Sequence, residues 1–271
     1  MKAPFVHLHL HSEYSIVDST VRIGQLVERC REQQMPAVGL TDQGNLFGMV
    51  KFYKTAAKNG IKPIIGVDLR IASPGDLAGA TSLVLLCQDR VGYRNLNQLL
   101  SRSYHEGQER GIALVHQDWL TKAGCEGLIA LSGGLNGDIG HAFTADKPEL
   151  AAELLDQWVN LFGDRFYVEL SRTGKSGEED YIQHVIELAS EKGVPVVATN
   201  DVRFLDTEDY YAHEARVCIH EGRTLGDKDR QSAYTKQQYL RDADEMARLF
   251  SDIPEALANT AEIAKRCNLN L

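Results

Sequence analysis

Several things are missing or scarce in this 271-residue chain, and each absence narrows what it does. No apolar run approaches the roughly 20 residues that a helix needs to cross a bilayer, so the chain is not read as a membrane protein. Its start, Met1-Lys2-Ala3-Pro4, passes straight into a histidine-rich segment without the apolar stretch of a secretory signal, and the expected location is the cytoplasm. Cysteine is limited to Cys30, Cys87, Cys125, Cys218 and Cys267, with no Cys-x-x-Cys pair. An odd number of scattered thiols points to reduced cysteines, not to a disulfide framework or a zinc knuckle. Positive charge is in deficit: 29 Lys and Arg face 38 Asp and Glu, a net charge of −9. Affinity for a nucleic-acid backbone comes mostly from clustered Lys and Arg, so direct nucleic-acid binding by this segment is not expected. Phosphate-loop and nucleophile motifs are missing as well. The glycine-rich stretch Ser132–Asp138 matches neither the dinucleotide fingerprint nor the P-loop and reads as a tight strand-to-helix turn, and no Gly-x-Ser-x-Gly elbow supports a Ser-His-Asp hydrolase.

What is present is an ordinary globular composition, 43% hydrophobic and 25% charged, at a length that suits one large α/β domain. The most informative stretch is Val6-His7-Leu8-His9-Leu10-His11-Ser12, followed by Asp18. Strict alternation predicts a strand with His7, His9 and His11 on one face and Leu8 and Leu10 on the other. Imidazoles two positions apart on a strand stand roughly 7 Å apart at Cα, close enough to converge on one ion. Together with a carboxylate they suit zinc, manganese or iron.

A strand–helix–strand unit recurs along the chain. Thr20–Gln34 has helical spacing and leads through Pro36 into the apolar run Ala37–Asp42. Leu46–Lys58 leads through Gly60 and Pro63 into Ile64–Asp68, and Glu178–Lys192 through Gly193 and Pro195 into Val196–Asp201. Further strands fit Ser82–Cys87, Gly127–Ser132 and Phe166–Leu170, with helices at Tyr93–Tyr104 and Glu149–Leu161. Such alternation favours a parallel sheet, and this many units favours a closed barrel over an open sheet. From Asp206 onward the pattern is helical, at Tyr210–His220, Thr235–Phe250 and Pro254–Cys267, with a loop at Thr224–Ala233. The expected division is a barrel over about residues 1–205 and a helical extension over about 206–271, within one domain. The chain ends directly after a helix without a polar tail, as an excised part of something larger would.

In a barrel the functional face is the C-terminal end of the strands, where His11, Asp42, Asp68 and Asp201 fall. Asp42 reads as a helix cap or turn residue. Asp68 and Asp201 read as site residues, because several acids beside paired histidines repel one another without a cation. His105, His116, His141, His184, His213 and His220 lie singly in polar surroundings and read as surface residues.

Four stretches, Phe5–Asp18, Thr41–Asn45, Gly60–Asp68 and Ala198–Asp201, together resemble the polymerase and histidinol phosphatase (PHP) domain. More narrowly the chain is similar to the N-terminal PHP domains of bacterial DNA polymerase III alpha subunits, of the proteobacterial type, with Ile253–Thr260 extending the likeness nearly to the end. The resemblance implies a distorted (βα)7 barrel with additional C-terminal helices, and a rim of metal ligands. Position by position, His9 and His11 match the paired histidines, Asp18 the ligand that follows, Asp201 the late aspartate, and Asp68 stands where a glutamate is usual. Gln43, Ser82 and Arg203 each replace a histidine, and Gly134 replaces a cysteine or histidine. A first ion, on His9, His11, Asp68 and Asp201, remains feasible; the second needs the positions now Ser82 and Gly134, the third those now Gln43 and Arg203. The implied cofactor is at most one divalent metal, Zn or Mn, and Arg203 beside Asp18 would replace a lost cation as a bidentate ion pair. By resemblance the domain is mainly a scaffold, without a catalytic residue of its own, that supports the polymerase core of its own chain and binds the proofreading exonuclease (epsilon) subunit. The competing reading is an active metal-dependent phosphoesterase, a pyrophosphatase or 3′–5′ exonuclease.

Overall fold

Helices and strands follow one another largely as the glycine and proline punctuation predicts. α1 (Ile23–Glu32) leads to β1 (Ala37–Leu40) and α2 (Met49–Lys58) to β2 (Lys62–Ile71). β3 (Thr81–Cys87) leads to α3 (Arg90–Glu106) and a small hairpin of β4 (Gln108–Glu109) and β5 (Ile112–Ala113). β6 (Leu128–Leu131) is followed by α4 (Asp138–Thr144) and α5 (Pro148–Phe162), and β7 (Phe166–Ser171) by α6 (Glu178–Lys192). After β8 (Val196–Thr199) come α7 (Tyr210–Glu221), α8 (Ala243–Leu249) and α9 (Pro254–Arg266). The structure is a computed structural model, and it describes residues 5–72, 79–109, 111–227, 229–230 and 232–271. No helix among the described residues is long and apolar enough to cross a membrane.

Six strands form one curled sheet in the order β1-β2-β3-β6-β7-β8. Its pairs are parallel except at β3, which runs antiparallel to both β2 and β6. The expected parallel sheet has one exception, at this strand, because the connection, residues 72–80, is shorter than the dozen or so residues that a parallel crossover needs. The predicted helix Thr235–Phe250 is also shorter than expected, covering only Ala243–Leu249. Residues 237–240 instead pair with the chain beyond β8: the Asn200 side-chain amide donates to the carbonyls of Gln237 and Tyr239, and Arg203 N donates to the Gln238 carbonyl at 2.8 Å. Tertiary hydrogen bonds override the local helical pattern there.

The segment from His7 to His11 closes the sheet. Gly39 N donates to His7 O at 2.7 Å and Thr41 N to Leu10 O at 2.9 Å; on the other side Val202 N donates to His9 O at 3.2 Å and His11 N to Val202 O at 3.0 Å. Its two neighbours are thus the two edges of the curled sheet, which becomes a distorted seven-membered barrel. The spacing of these bonds is uneven: Gly39 and Thr41 are two residues apart, whereas His7 and Leu10, which face them, are three apart. One extra residue is accommodated as a bend at His9, the device by which bulges re-aim side chains at barrel rims.

The bend changes which residues share a face. Val6 and Leu8 join the inner cluster of the barrel with Val84, Leu86, Ile129 and Val197, while Leu10 joins the outer cluster between sheet and helices. His7 therefore faces away from His9 and His11, and its Nε2 lies 2.8 Å from the Arg241 carbonyl. Burial pushes its pKa down to about 4, so it is neutral. The expected single face of three histidines is corrected to a pair.

α9 covers the opposite, N-terminal end of the strands. Ile263, Ala264 and Cys267 belong to the inner cluster, Thr260 Oγ1 accepts from Val6 N at 3.0 Å, and Lys62 Nζ at the start of β2 donates to Ala264 O at 2.7 Å. With this end covered, the cavity between the strand ends lies at the C-terminal rim.

Gly39 lets the N-terminal segment press onto β1, since a Cβ there would stand 3.0 Å from both Leu8 Cα and Leu8 O. Gly39→Ala is expected to lower stability by about 1–3 kcal/mol through overpacking, read as a lower urea midpoint at an unchanged m-value.

Candidate metal centre

Strand alternation delivers the site. The inner-face positions of β2, β7 and β8 run from the core to the rim: Ile64, Gly66 and Asp68; Tyr167 and Glu169; Val197 and Thr199, with Asp201 two residues further on. β3 runs the other way, so Ser82 near its beginning reaches the same rim, and its hydroxyl donates to Asp68 Oδ1 at 2.5 Å. Asp201 has φ +44°, a left-handed conformation that Asp tolerates better than most residues and that turns its carboxylate into the site.

His9, His11 and Asp68 are buried and offer ligand atoms that all lie within 4.8 Å of one another. His9 Nδ1 is 2.7 Å from Glu169 Oε1, and its Nε2 is 3.4 Å from Asp68 Oδ2 and 3.5 Å from Asp201 Oδ1. His9 Nε2 is buried with no hydrogen-bond partner. His11 Nδ1 lies 3.0 Å from Asp18 Oδ1 and its Nε2 3.2 Å from Asp68 Oδ2. Burial disfavours charge on both rings, yet the surrounding carboxylates prevail: Glu169, Asp201 and Asp68 hold the His9 pKa well above its ordinary value, and Asp18 and Asp68 raise that of His11 against the opposing charge of Arg203. Burial likewise opposes charge on Asp68, but the hydrogen-bonded His11 and the neighbouring His9 hold its pKa well below the usual range. An orphaned ring nitrogen beside a second imidazole and a carboxylate fits one divalent ion of borderline hardness.

The other two candidate ligands, Asp18 and Asp201, are already engaged. Arg203 Nη1 is 2.7 Å from Asp18 Oδ2, Nη2 pairs with Asp201 Oδ1, and Nη1 also meets His11 Nδ1. The guanidinium thus bridges two carboxylates instead of gripping Asp18 alone as expected. Asp18 further accepts from the Tyr234 hydroxyl at 3.1 Å; Asp201 accepts from Gln238 Nε2 at 2.8 Å and lies 3.5 Å from Lys175 Nζ. Burial works against both charges, but Arg203 above all depresses their pKa values far below the ordinary range. Gln43 is occupied by Arg70, whose Nη2 donates to its Oε1 at 2.9 Å. Gly134, with φ +58°, lies in the tight strand-to-helix turn expected of residues 132–138. Asp18, Gln43, Asp68, Lys175, Asp201 and Arg203 line a cavity of about 260 Å³.

Three other expectations are resolved here. Asp42 organises the loop that carries Asp18, accepting from Ser12 N, Ser12 Oγ and Ser15 Oγ at 2.6–2.8 Å, as a turn residue should. All five cysteines are free and buried. His213 is not a surface residue: it is fully buried, with Nε2 2.9 Å from the Asp18 carbonyl, because the loop over the rim covers its helix. Glu169 was missed by sequence reasoning. Its signal is a lone carboxylate inside the apolar run Phe166–Leu170, at an inner-face position.

A histidine and aspartate cluster at the rim of an α/β barrel defines a barrel protein with a candidate metal centre. The chain belongs to the PHP domain family, whose sequence profile matches residues 7–173. It is 49% identical over 271 residues to the DNA polymerase III subunit alpha of Pseudomonas aeruginosa, a match that takes in 100% of this chain but 23% of that protein. Among solved structures it is similar to an amidohydrolase from Chromobacterium violaceum with bound sulfate and no metal (TM-score 0.53, 15% identity, 78% of this chain and 96% of that one). A protein from Bifidobacterium adolescentis described as a metal-dependent phosphoesterase superposes with TM-score 0.50 at 10% identity, over 91% of this chain and 95% of that one. At such identities these two likenesses concern the fold.

Arg203→Ala is expected to destabilise the chain by about 3–5 kcal/mol, since it leaves two buried carboxylates without their cation, and Arg203→Ala/Asp18→Asn should recover part of that loss in chemical denaturation. The pH dependence has two limbs. Asp18 and Asp201, depressed in the folded state, contribute stability that is full above an unfolded pKa of about 3.9 and lost as pH falls below it. His9 and His11, raised in the folded state, contribute stability that is full below about pH 6.5 and lost as pH rises through their folded values. Denaturant midpoints across pH 3–10 in the presence of a chelator should therefore fall on both sides, and Arg203→Ala should flatten or invert the acid limb.

Proposed function

We propose that this chain serves as the N-terminal PHP domain of a replicative DNA polymerase alpha subunit in the cytoplasm, mainly as a scaffold. In this reading it is a single domain in which the helical extension from about residue 206 completes the rim through Tyr234 and Gln238. It supports the polymerase core of its own chain and binds the proofreading exonuclease subunit, and it extends no primer by itself. The observation that carries the reading is Arg203 lying between Asp18 and Asp201: a protein cation stands among the carboxylates where a multi-metal phosphoesterase would need ions. Two-metal catalysis clamps both the attacking and the leaving oxygen of a displacement. Here Ser82 and Gln43 are hydrogen-bonded to Asp68 and Arg70, and Gly134 has no side chain to donate.

The same rim supports one divalent cation, Zn or Mn, held by His9, His11 and Asp68, with Asp201 adjacent. Such an ion would supply a fixed positive charge and Lewis acidity; the protein's part is to hold two imidazoles and a carboxylate in register. Asp68 reaches about one methylene less far than a glutamate, and losing even a supporting hydrogen bond costs metal sites about 10–100-fold in affinity, which limits the site to weak binding.

Metal content per chain after purification with manganese or zinc tests this, together with hydrolysis of pyrophosphate and of a 3′-labelled DNA. The expected result is at most one ion per chain, no turnover, and capture of the exonuclease subunit by the chain. Three ions per chain, or hydrolysis abolished by His9→Ala, would establish an active phosphoesterase instead.

A further inference from the structure

We propose that Glu169 is a positioning residue for this rim: it holds His9 by Nδ1, so that Nε2 is the atom left to face a metal ion. The proposal rests on the reading that one cation sits on His9, His11 and Asp68. Glu169 is not among the positions matched to the family's ligands, and it is almost fully buried on β7.

Its carboxylate is fixed from several sides. Oε1 accepts from Thr199 Oγ1 at 2.6 Å and lies 2.7 Å from His9 Nδ1, while Oε2 accepts from Gly133 N at 3.1 Å. Thr199 Oγ1 in turn lies 3.0 Å from Ser171 Oγ. The strand is held too, with Glu169 N donating to Ser132 Oγ at 2.9 Å and Glu169 O accepting from the Tyr181 hydroxyl at 3.1 Å. Donors from the ends of β6 and β8 thus converge on one carboxylate of β7, and that carboxylate presents a single oxygen to the N-terminal segment.

Two features make this more than a satisfied buried acid. Among the described residues, His9 is the one basic side chain within ion-pairing distance of Glu169, whereas Asp18 and Asp201 share Arg203 and Asp68 faces both imidazoles. The polar atom at the far side of the same ring, Nε2, is buried and makes no hydrogen bond, with the Asp68 and Asp201 carboxylates 3.4 and 3.5 Å away. A carboxylate that takes Nδ1–H fixes the tautomer and ring orientation and raises the basicity of the opposite nitrogen, the arrangement that supports histidine ligands in metal sites. The bend at His9 frees the ring from the strand's alternation, so an external group has to set its orientation. Glu169 is placed to do so.

The test compares this chain with Glu169→Gln and Glu169→Ala, titrating Zn(II) and Mn(II) by calorimetry and observing the His9 ring nitrogens by 15N NMR with and without metal. Glu169→Ala is expected to weaken metal binding about 10–100-fold and to abolish the hydrogen-bonded Nδ1–H signal. Glu169→Gln, which keeps an acceptor oxygen without the charge, should fall between. Unchanged affinity and an unchanged His9 signal in Glu169→Ala would overturn the proposal; should that variant not fold, wild-type values in Glu169→Gln would overturn it equally. A lowered melting temperature with wild-type affinity would mark a purely structural residue and also overturn it. If the unsubstituted chain takes up no metal, the single-cation reading itself fails and the proposal falls with it.

Discussion

Four carboxylates meet, largely buried, at the rim of this barrel, and the need to neutralise them constrains everything around them. Asp18, Asp68, Glu169 and Asp201 are each nearly fully buried. Carboxylates in such surroundings either take up protons or keep cations close. Arg203 serves Asp18 and Asp201 together, which suits a guanidinium: its planar fork carries donors in more than one direction and its charge is permanent. A lysine at that position would place one point charge between them. The surrounding donors, Tyr234, Gln238 and Ser82, occupy remaining lone pairs on Asp18, Asp201 and Asp68 respectively, without which burial of the ion pairs would be costly.

That electrostatic arrangement depends on how the chain closes the sheet. A regular seventh strand would have set His7, His9 and His11 on one face and spread their rings along the barrel axis. The extra residue between His7 and Leu10 instead turns Val6 and Leu8 into the core and brings His9 and His11 to the rim, with ring centroids 5.7 Å apart. Packing and site geometry are therefore the same event: the inner cluster claims Leu8, and the bend that follows releases His9 toward Glu169.

Much of this is legible in the sequence, for identifiable reasons. The repeated succession of helix end, proline and apolar run marks β1, β2 and β8 because proline and glycine act locally. The carboxylates Asp68 and Asp201 follow from where strands terminate in a barrel, whereas the pair His9 and His11 follows from the resemblance to the family, since alternation alone offers three histidines. What escapes is non-local. The bend at His9 depends on Gly39 and Thr41, thirty residues away in sequence; the reversal of β3 depends on a connection whose length matters more than its composition; the unwinding of residues 235–242 depends on Asn200 and Arg203. Glu169 and His213 were missed for one reason. A single polar residue in a strand or helix carries no periodic signal, and only the assembled rim shows what it faces.

The charges at the rim divide into two groups. Asp18 and Asp201 share Arg203, whose guanidinium does not release its proton, whereas Asp68 and Glu169 face imidazoles, a group that gains and loses protons readily. Neutralisation on the Arg203 side is therefore built into the chain, while on the histidine side it depends on protons or on another cation. Arg203 thus does more than stand at a lost ligand position: it leaves the side of His9, His11 and Asp68 as the part of the rim whose charge can exchange.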